Sequence, residues 1–548
     1  MSSRINTLKE QGEQLFSKRG GLLSLWQDIA ENFYPERADF TNARNIGSEL
    51  SAGLMTSYPV IARRELGNAF SAMLRPTAKD WFHIAADGGE KTDTAGKQWL
   101  EWAEGVQRKA MYNRVAQFTR ATKEADHDFA AFGQCVISTE LNGAGNALLY
   151  RTWHLRDVAW CEDETGAITT VYRKWNPTAL DLVALFPKGV HPAVRKALEK
   201  TPYAEFECWH IVIPAERYKS MPGAEKMRQP YVSIFLDVKN EHEMELVGQA
   251  EQMYTIPRWQ TVSGSQYAHS PAVVAGLSNA RALQVMTRTL TEAGEKHVNP
   301  PMIGVREAFR SDLNIYAGGF TAVDAEYDER LGEVLRPLTQ DKSGFPIGVD
   351  VLERVKQELV EAFYLNKLNL PPQGGPDMTA YEVGQRVQEH IRVILPLFEP
   401  MEYDYNGRLC EVTFGLLMRG GAFGSPSDIP QSLQGKNIHF TFESPLSQAA
   451  DRAKIGQFLE AKSILAAAIE MDPAVVLLLD AKKATRDAFS GAAPAAWLRT
   501  EAAVDELLAA QAEKEEQVSA QQQLAQAQQG ADVVKTLGEA QRNLQSPV

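Results

Sequence analysis

The feature that most constrains this chain is a ten-residue interruption at 369–378, reading Asn-Leu-Pro-Pro-Gln-Gly-Gly-Pro-Asp-Met. Its three prolines remove amide donors and its two glycines loosen the backbone, so no helix can run through it. The chain must loop out here. Immediately beyond it, a helix start is written twice. Thr379-Ala380-Tyr381-Glu382 has the S/T-x-x-E form of a capping box, and Met378 with Val383 form a hydrophobic staple. Val383, Val387, Ile391, Ile394 and Phe398 continue at helical spacing. Beyond the kinking Pro396 and Pro400 the pattern resumes through Leu409, Val412, Leu416 and Leu417 to Gly420-Gly421. One long, bent helix is expected.

Two more helices lead up to the break. Ser270-Pro271 supplies an N-cap and a proline at the first helical position, opening a helix that ends before Asn299-Pro300-Pro301. Its apolar Val273, Leu277, Leu283 and Leu290 leave Arg281 and Arg288 on another face, with Glu292 one turn on. The other helix carries a narrow stripe of Leu352, Val355, Leu359 and Phe363, its remaining faces filled by Glu353, Arg354, Lys356, Gln357, Glu358 and Glu361. Half-polar helices of this kind make a poor monomer; repeated around a ring, each would bury its seam against a neighbour and line a tunnel.

The rest of the chain, 548 residues long, exceeds what one core can hold, and two to four domains are expected. A 44% hydrophobic and 23% charged composition is that of a soluble globular protein. The formal charge of −13 argues against a surface built to grip nucleic acid, because phosphate affinity grows with the number of lysines and arginines that neutralise the backbone. The first residues lack the apolar core of a signal peptide, and the longest apolar run, 464–479, is interrupted by Glu470, Asp472 and Pro473, so no membrane segment is expected. Cys135, Cys161, Cys208 and Cys410 have no metal-ligand spacing and read as reduced thiols.

In chain order, helices are expected over 4–35, 49–74 and 94–132. Short β-rich runs at 136–140, 147–151, 158–161 and 168–175, separated by Asn-Gly-Ala-Gly and Asp-Glu-Thr-Gly turns, then read as an antiparallel sheet. Short helices near 177–185 and 191–200 precede strands at 205–213, 231–237 and 243–249. A β-run at 437–443 comes after the long helix, then short helices, and finally an Ala/Gln/Glu-rich stretch with almost nothing to bury. The fold class is α+β, mainly helical, with a small antiparallel portion.

Motifs for catalysis are missing. There is no G-x-x-x-x-G-K-[ST] phosphate loop, no G-x-S-x-G elbow and no HExxH; His242-Glu243-Met244-Glu245 lacks the second histidine. No cofactor or metal site is expected.

Together these residues resemble the head-to-tail connecting, or portal, proteins of short-tailed double-stranded DNA bacteriophages. The resemblance keeps the family's order over most of the chain: Trp26…Tyr34-Pro35, Leu66…Leu74-Arg75-Pro76…Trp81-Phe82, Gly166-Ala167-Ile168…Val171-Tyr172-Arg173-Lys174, Tyr267…Ser270-Pro271, Asn299-Pro300-Pro301, Thr379-Ala380-Tyr381-Glu382-Val383…Arg386…Glu389 and Ser444-Pro445-Leu446-Ser447-Gln448-Ala449. Ala268 stands where the family usually has glycine.

The resemblance implies a dodecameric ring at one capsid vertex, a channel for double-stranded DNA during packaging and ejection. The wing would span 1–269, stem helix 1 270–299, the clip 300–346, stem helix 2 347–368, the tunnel loop 369–378, the long wing helix 379–435, the crown 436–510 and a terminal barrel or tail 511–548. Arg281, Arg288, Lys296 and Lys367 would be the stem cations that touch DNA transiently; salt bridges with Glu292, Glu295 or Glu361 are the rival reading. Asn369, Gln373, Gly374 and Gly375 would form the tunnel-loop tip, or a plain connector. Asp324, Glu326, Asp328, Glu329 and Arg330 would dock partners from the clip, or form a solvated acidic face. Implied partners are further copies of the chain, DNA held without sequence preference, the terminase packaging motor, a tail adaptor, and the major capsid and scaffolding proteins. The implied location is the virion's head-tail junction, with assembly in the host cytoplasm. Two other classes stay open: a different virion ring or tail protein, and a metal-dependent hydrolase using carboxylates such as Asp324 and Asp328.

Overall fold

The computed structural model describes residues 2–43, 45, 47–76, 80–87, 94–304, 335–337, 344–368, 398 and 401–442, together with 462, 463, 465, 485 and 504. The chain begins with helices α1 (Ser2–Lys18), α2 (Gly20–Phe33) and α3 (Tyr58–Leu74), followed by strand β1 (Phe82–Ala86) and helices α4 (Thr94–Met111) and α5 (Phe118–Phe132). Next come β2 (Val136–Leu141), β3 (Leu148–Trp153), β4 (Val158–Glu162), β5 (Ile168–Trp175), α6 (Ala179–Leu185), α7 (Pro192–Lys200), β6 (Cys208–Pro214), α8 (Ala215–Lys219), β7 (Tyr231–Asp237), β8 (His242–Gln249) and β9 (Tyr254–Thr255). The remaining elements are α9 (Leu277–Val298), β10 (Met302–Gly304), β11 (Leu335–Pro337), α10 (Gly344–Ala362), α11 (Leu365–Leu368), α12 (Arg408–Arg419) and β12 (Ile438–Phe442).

Three of the long helices expected from sequence are corrected. The first breaks at Arg19, whose buried guanidinium donates to the carbonyls of Leu155, Arg156 and Val158 (2.7 Å to the last). Gly20-Gly21 beyond it carries little helix propensity, and a tertiary contact decides the break. The second starts only at Tyr58, where Pro59 sits in the first turn and the Ser- and Gly-rich 47–57 stays non-helical. The third divides at Asn113, whose side chain accepts from the Val115 amide at 3.1 Å, and at Gln117, which is left-handed at φ 56°.

Contacts divide the chain into two compact units. The larger comprises 1–83, 105–423 and 442–446. Within it β4-β5-β6-β7-β8 form an antiparallel meander, with pairs such as Val171↔Val212, Ile211↔Ile234 and Ile234↔Leu246. One face packs Trp209, Ile211 and Ile213 against Ile5, Leu8 and Leu15 of α1. Gly12 lets α1 come down onto the Trp209 ring, which a Cβ there would strike. The other face, through Cys208 and Met244, meets Leu182 and Phe186 of α6 and Val194 of α7. Thr178 and Asp181 close a capping box that starts α6. A smaller sheet, β3-β2-β9, lies on α5, where the Thr152 hydroxyl donates to the Ala121 carbonyl at 2.6 Å. Cys135, Cys208 and Cys410 are buried thiols and Cys161 is half-buried.

At the centre of this unit a charged network is wholly enclosed. Arg75, at the end of α3, pairs with Asp126 of α5 and donates to Asn406 Oδ1 at 2.8 Å. Tyr405 donates its hydroxyl to Asp126 at 3.0 Å, and Asn406 Nδ2 donates to the Leu74 carbonyl at 3.0 Å. Burial is the largest influence on Arg75 and opposes its charge, but Asp126, Tyr405 and Tyr112 together outweigh it and hold the guanidinium above its ordinary range. Tyr405 and Asn406 lie in a π-helical turn, Glu402–Gly407, that runs into α12. From Met401 to Gly420 the expected long helix is thus present, wound wider at its start. Its earlier part, 379–397, lies outside the described residues.

The smaller unit comprises 84–104, 424–441 and 447–548. Among its described residues the Asp87 amide donates to the Asn437 carbonyl at 3.0 Å.

His210, buried in β6, uses both ring nitrogens, on Tyr254 Oη at 2.5 Å and Ser233 Oγ at 2.8 Å, and stacks on Phe235. Burial, and Arg173 nearby, hold its pKa well below the usual 6.5. Burial and Arg63 pull His127 down to about 4. Both rings stay neutral in the folded chain and gain a proton on unfolding, so stability present above pH 6.5 is lost as pH falls below it. Melting temperature is expected to drop between pH 7 and pH 5. His210→Gln, which cannot titrate, should shrink that drop and leave the share due to His127.

Candidate functional site

Of the residues marked by the sequence, the structure gathers one group: the helices that flank the 305–334 segment and precede the Pro/Gly break. The first begins where Ser270 is buried between α5 and the strand region. Its hydroxyl donates to the Ala131 carbonyl at 2.6 Å and caps the Val273 amide at 3.2 Å, as Ser270-Pro271 predicts. Gly133, at φ 76°, permits this approach, because a Cβ would collide with the backbone of His269 and Ser270. Ala268, in the position expected to hold glycine, is buried and donates its amide to Gln134 Oε1 at 2.9 Å.

The helix opens with a π-helical turn, Ala272–Gly276, a winding often found where a helix does work. Gly276 lies under the rings of Phe33 and Phe363, which a Cβ would approach to 3.1 and 3.0 Å. Phe33 and Phe363 themselves pack at 5.2 Å. From here α9, with 22 residues, extends roughly 33 Å. Antiparallel strands β10 and β11, paired from Met302↔Pro337 to Gly304↔Leu335, bring the chain back to α10, with 19 residues. The two helices meet where Gly348 faces Leu290, whose Cδ2 would lie 2.9 Å from an added Cβ. The second ends at Tyr364, left-handed at φ 58°, with Lys367 over its ring at 5.5 Å.

Only the root of this hairpin is enclosed. Ala280 and Leu283 of α9 and Leu359 of α10 are buried, as is Phe363 just beyond it. Leu277, Leu290, Leu352 and Val355 from the expected stripes are half-buried. Away from the root, Val285 is 65% exposed, Ile347 64% and Val298 89%, with Val349 and Val351 also open. Large apolar side chains are thus open to solvent on helices that otherwise carry charge.

The expected stem cations are partly engaged. Arg281 donates to Asp28 at 2.8 Å, a partner from α2 that spacing within the helix could not show. Arg288 pairs with Glu292 at 2.9 Å, as the rival expectation has it. Both pairs are exposed and worth at most about 1 kcal/mol. Lys296 is exposed near the end of α9, and Lys367 lies just past the end of α10. Asn369, Gln373, Gly374 and Gly375, and Asp324, Glu326, Asp328, Glu329 and Arg330, lie outside the described residues. Among the described residues no three His, Cys, Asp or Glu side chains are grouped to hold a metal, and no helix is long and apolar enough to cross a membrane.

Sequence reasoning missed Gln284. Its Oε1 accepts from the Met55 and Thr56 amides at 2.7 and 2.9 Å while its Nε2 donates to the Thr56 carbonyl at 2.9 Å. A lone glutamine on a helix face gives no signal for this.

A family model described as "Bacteriophage head to tail connecting protein" matches residues 6–494. The probable portal protein of Bordetella phage BPP-1 is 26% identical over 444 residues, 80% of this chain and 78% of that protein. The portal protein of Salmonella phage epsilon15 is 21% identical over 548 residues, 97% of this chain and 95% of that protein. Among solved structures, a chain from the virion of a native gene transfer agent particle aligns at TM-score 0.33 and 10% identity over 79% of this chain and 94% of that one. Another, from the neck of an empty gene transfer agent particle, aligns at 0.30 and 11% over 77% and 93%.

Gln284→Ala should free the 55–56 segment and leave α9 folded. With each lost hydrogen bond worth about 1 kcal/mol, exchange of the Met55 and Thr56 amides is expected to quicken at least about tenfold, read by hydrogen-exchange mass spectrometry.

Proposed function

Because the chain belongs to the bacteriophage head-to-tail connecting protein family, we propose that it is the portal subunit of its phage, assembling as a dodecameric ring at one capsid vertex. The ring is the channel through which double-stranded DNA enters during packaging and leaves during ejection. The role is architectural; the chain lacks a nucleotide-binding loop, so a separate terminase motor drives the DNA.

The observation that supports this reading best is the α9–α10 hairpin, closed at its root and apolar on outward faces at Val285, Ile347 and Val351. A second copy placed beside it covers those faces, and a closed circle of copies leaves none open. On this reading 270–299 and 347–368 are the stem helices, 300–346 the clip, 369–378 the tunnel loop and 379–435 the segment that carries the long wing helix, with the wing at 1–269 and the crown and tail at 436–548. The clip, through Asp324, Glu326, Asp328, Glu329 and Arg330, meets the motor and later the tail adaptor, and capsid and scaffolding proteins surround the ring.

DNA must slide both ways, so no lumen site can hold phosphate tightly. The net charge of −13 suits that requirement, as do arginines already paired with carboxylates: Arg281 with Asp28 and Arg288 with Glu292 present a reduced charge to a passing backbone. Lys296 and Lys367 complete the set of transient contacts, and Asn369, Gln373, Gly374 and Gly375 reach the duplex without charge.

Negative-stain images of the purified chain are expected to show holed discs. Val285→Asp with Ile347→Asp should leave helical circular dichroism unchanged and abolish the discs; discs formed as before would refute the assigned contact surface. Deleting 373–376 should leave the discs intact but lower the DNA retained per head, and equal retention would remove the tunnel-loop role.

A further inference from the structure

The Val171-Tyr172-Arg173-Lys174 segment is not used by the channel. In β5 its Arg173 pairs across to Val158 on one side and His210 on the other. Only 5% of Arg173 is exposed. Its guanidinium lies 3.8 Å from the Trp153 ring centre and 5.3 Å from that of Trp175, between two indoles. Nε donates to Tyr254 Oη at 2.8 Å. Nη1 has no partner, and neither has the buried Nε1 of Trp175. Both residues line a cavity of about 310 Å³ between β3, β5 and the end of α6.

A buried cation with an unmet donor is costly, and such sites are completed by an acceptor. Both orphaned atoms here are donors, so the complement is an oxygen acceptor, and the charge on Arg173 favours an anionic one. Arginine stacked on aromatic faces presents its planar fork in fixed orientation, which suits the two oxygens of a carboxylate. Arg151, Glu140 and Glu245 also line the cavity; Glu140 already interacts with Arg151 and Arg173, and the two carboxylates oppose a dianion more strongly than a single charge. The rim is apolar: Leu141 is 39% exposed and Leu185 58%. A ledge of that kind is matched by apolar residues beside the acid, which a free inorganic ion does not have.

We propose that this cavity is a docking site for an acidic side chain, aspartate or glutamate, carried on an apolar-flanked peptide segment of a partner protein, with the carboxylate on Arg173 and Trp175 and its neighbours on Leu141 and Leu185. The site lies within the larger unit and does not depend on the ring or the channel.

The full-length chain is titrated calorimetrically with three probes: N-acetylated, C-amidated Leu-Glu-Leu, the same peptide with glutamine in place of glutamate, and inorganic phosphate. The glutamate peptide is expected to bind saturably and the glutamine peptide at least about tenfold more weakly, as a charge-assisted bidentate contact requires. Phosphate should give no saturable binding. Arg173→Lys, which keeps the charge but loses the planar fork, should weaken the glutamate peptide about tenfold. Leu185→Asp, at the exposed ledge, should abolish its binding with an unchanged melting curve, and it carries the test if the arginine variant fails to fold. Equal binding of the two peptides, binding of phosphate without peptide, no binding of any probe, or full binding by Leu185→Asp would each overturn the assignment.

Discussion

The larger unit depends on the buried pairing of Arg75 with Asp126. Removing two charges from water costs several kcal/mol each, and mutual attraction offsets that only when the remaining donors and acceptors are also met. Tyr405 and Asn406 meet part of that need by bonding Asp126 Oδ1, Arg75 Nη1 and the Leu74 carbonyl, while Arg75 Nε and Asp126 Oδ2 stay buried without a hydrogen-bond partner among the described residues. Three distant segments therefore meet at one point: the end of α3, the middle of α5 and the turn that leads into α12. Take away one charge and the other is stranded, at a cost of about 3–5 kcal/mol. The pairing also sets geometry, since Asn406 can reach both Arg75 and Leu74 only with the chain at 402–407 wound as it is.

From α5 the same rigidity passes to the hairpin. Ser270 is bonded to the Ala131 carbonyl, and Gly276 is pressed between Phe33 and Phe363. The hairpin is thus firmly rooted and, away from the root, exposes Val285, Ile347 and Val298. A part that is fixed at one end and apolar along its sides is suited to completing its packing with other copies. Arg281 and Arg288 of α9 are each paired with a carboxylate, Asp28 and Glu292, which lowers the net charge on that part of its surface.

How much of this the sequence revealed depended on the range of the forces involved. The Ser270 cap, the β-runs that became β2 to β8 and the end of α12 at Gly420 are set by neighbours a few residues away, so spacing was enough to find them. The breaks at Arg19 and Asn113 are not legible from spacing, because apolar periodicity continues on both sides of each although Gly20-Gly21 and Asn113 weaken the helix locally. At Arg19 a tertiary partner decides the position of the break: the carbonyls of Leu155, Arg156 and Val158 lie far along the chain. Leu74-Arg75-Pro76 was noted as a motif, yet nothing in it names Asp126, 51 residues on. Of the candidate contacts, the Arg288–Glu292 pair was legible as a helical i,i+4 spacing, whereas Arg281–Asp28 joins two helices and was not.

Gln284 also sets the limits on residues 55 and 56. Through a single amide group it offers them the donor and acceptor that a neighbouring strand would offer, so Gln284 holds this stretch by its peptide groups. Met55, 51% exposed, contributes nothing to that attachment through its thioether. Position 55 is therefore free to change its side chain, position 56 gives up the bond its hydroxyl oxygen accepts from the Tyr58 amide if it does, and both exclude proline, which has no N–H to give.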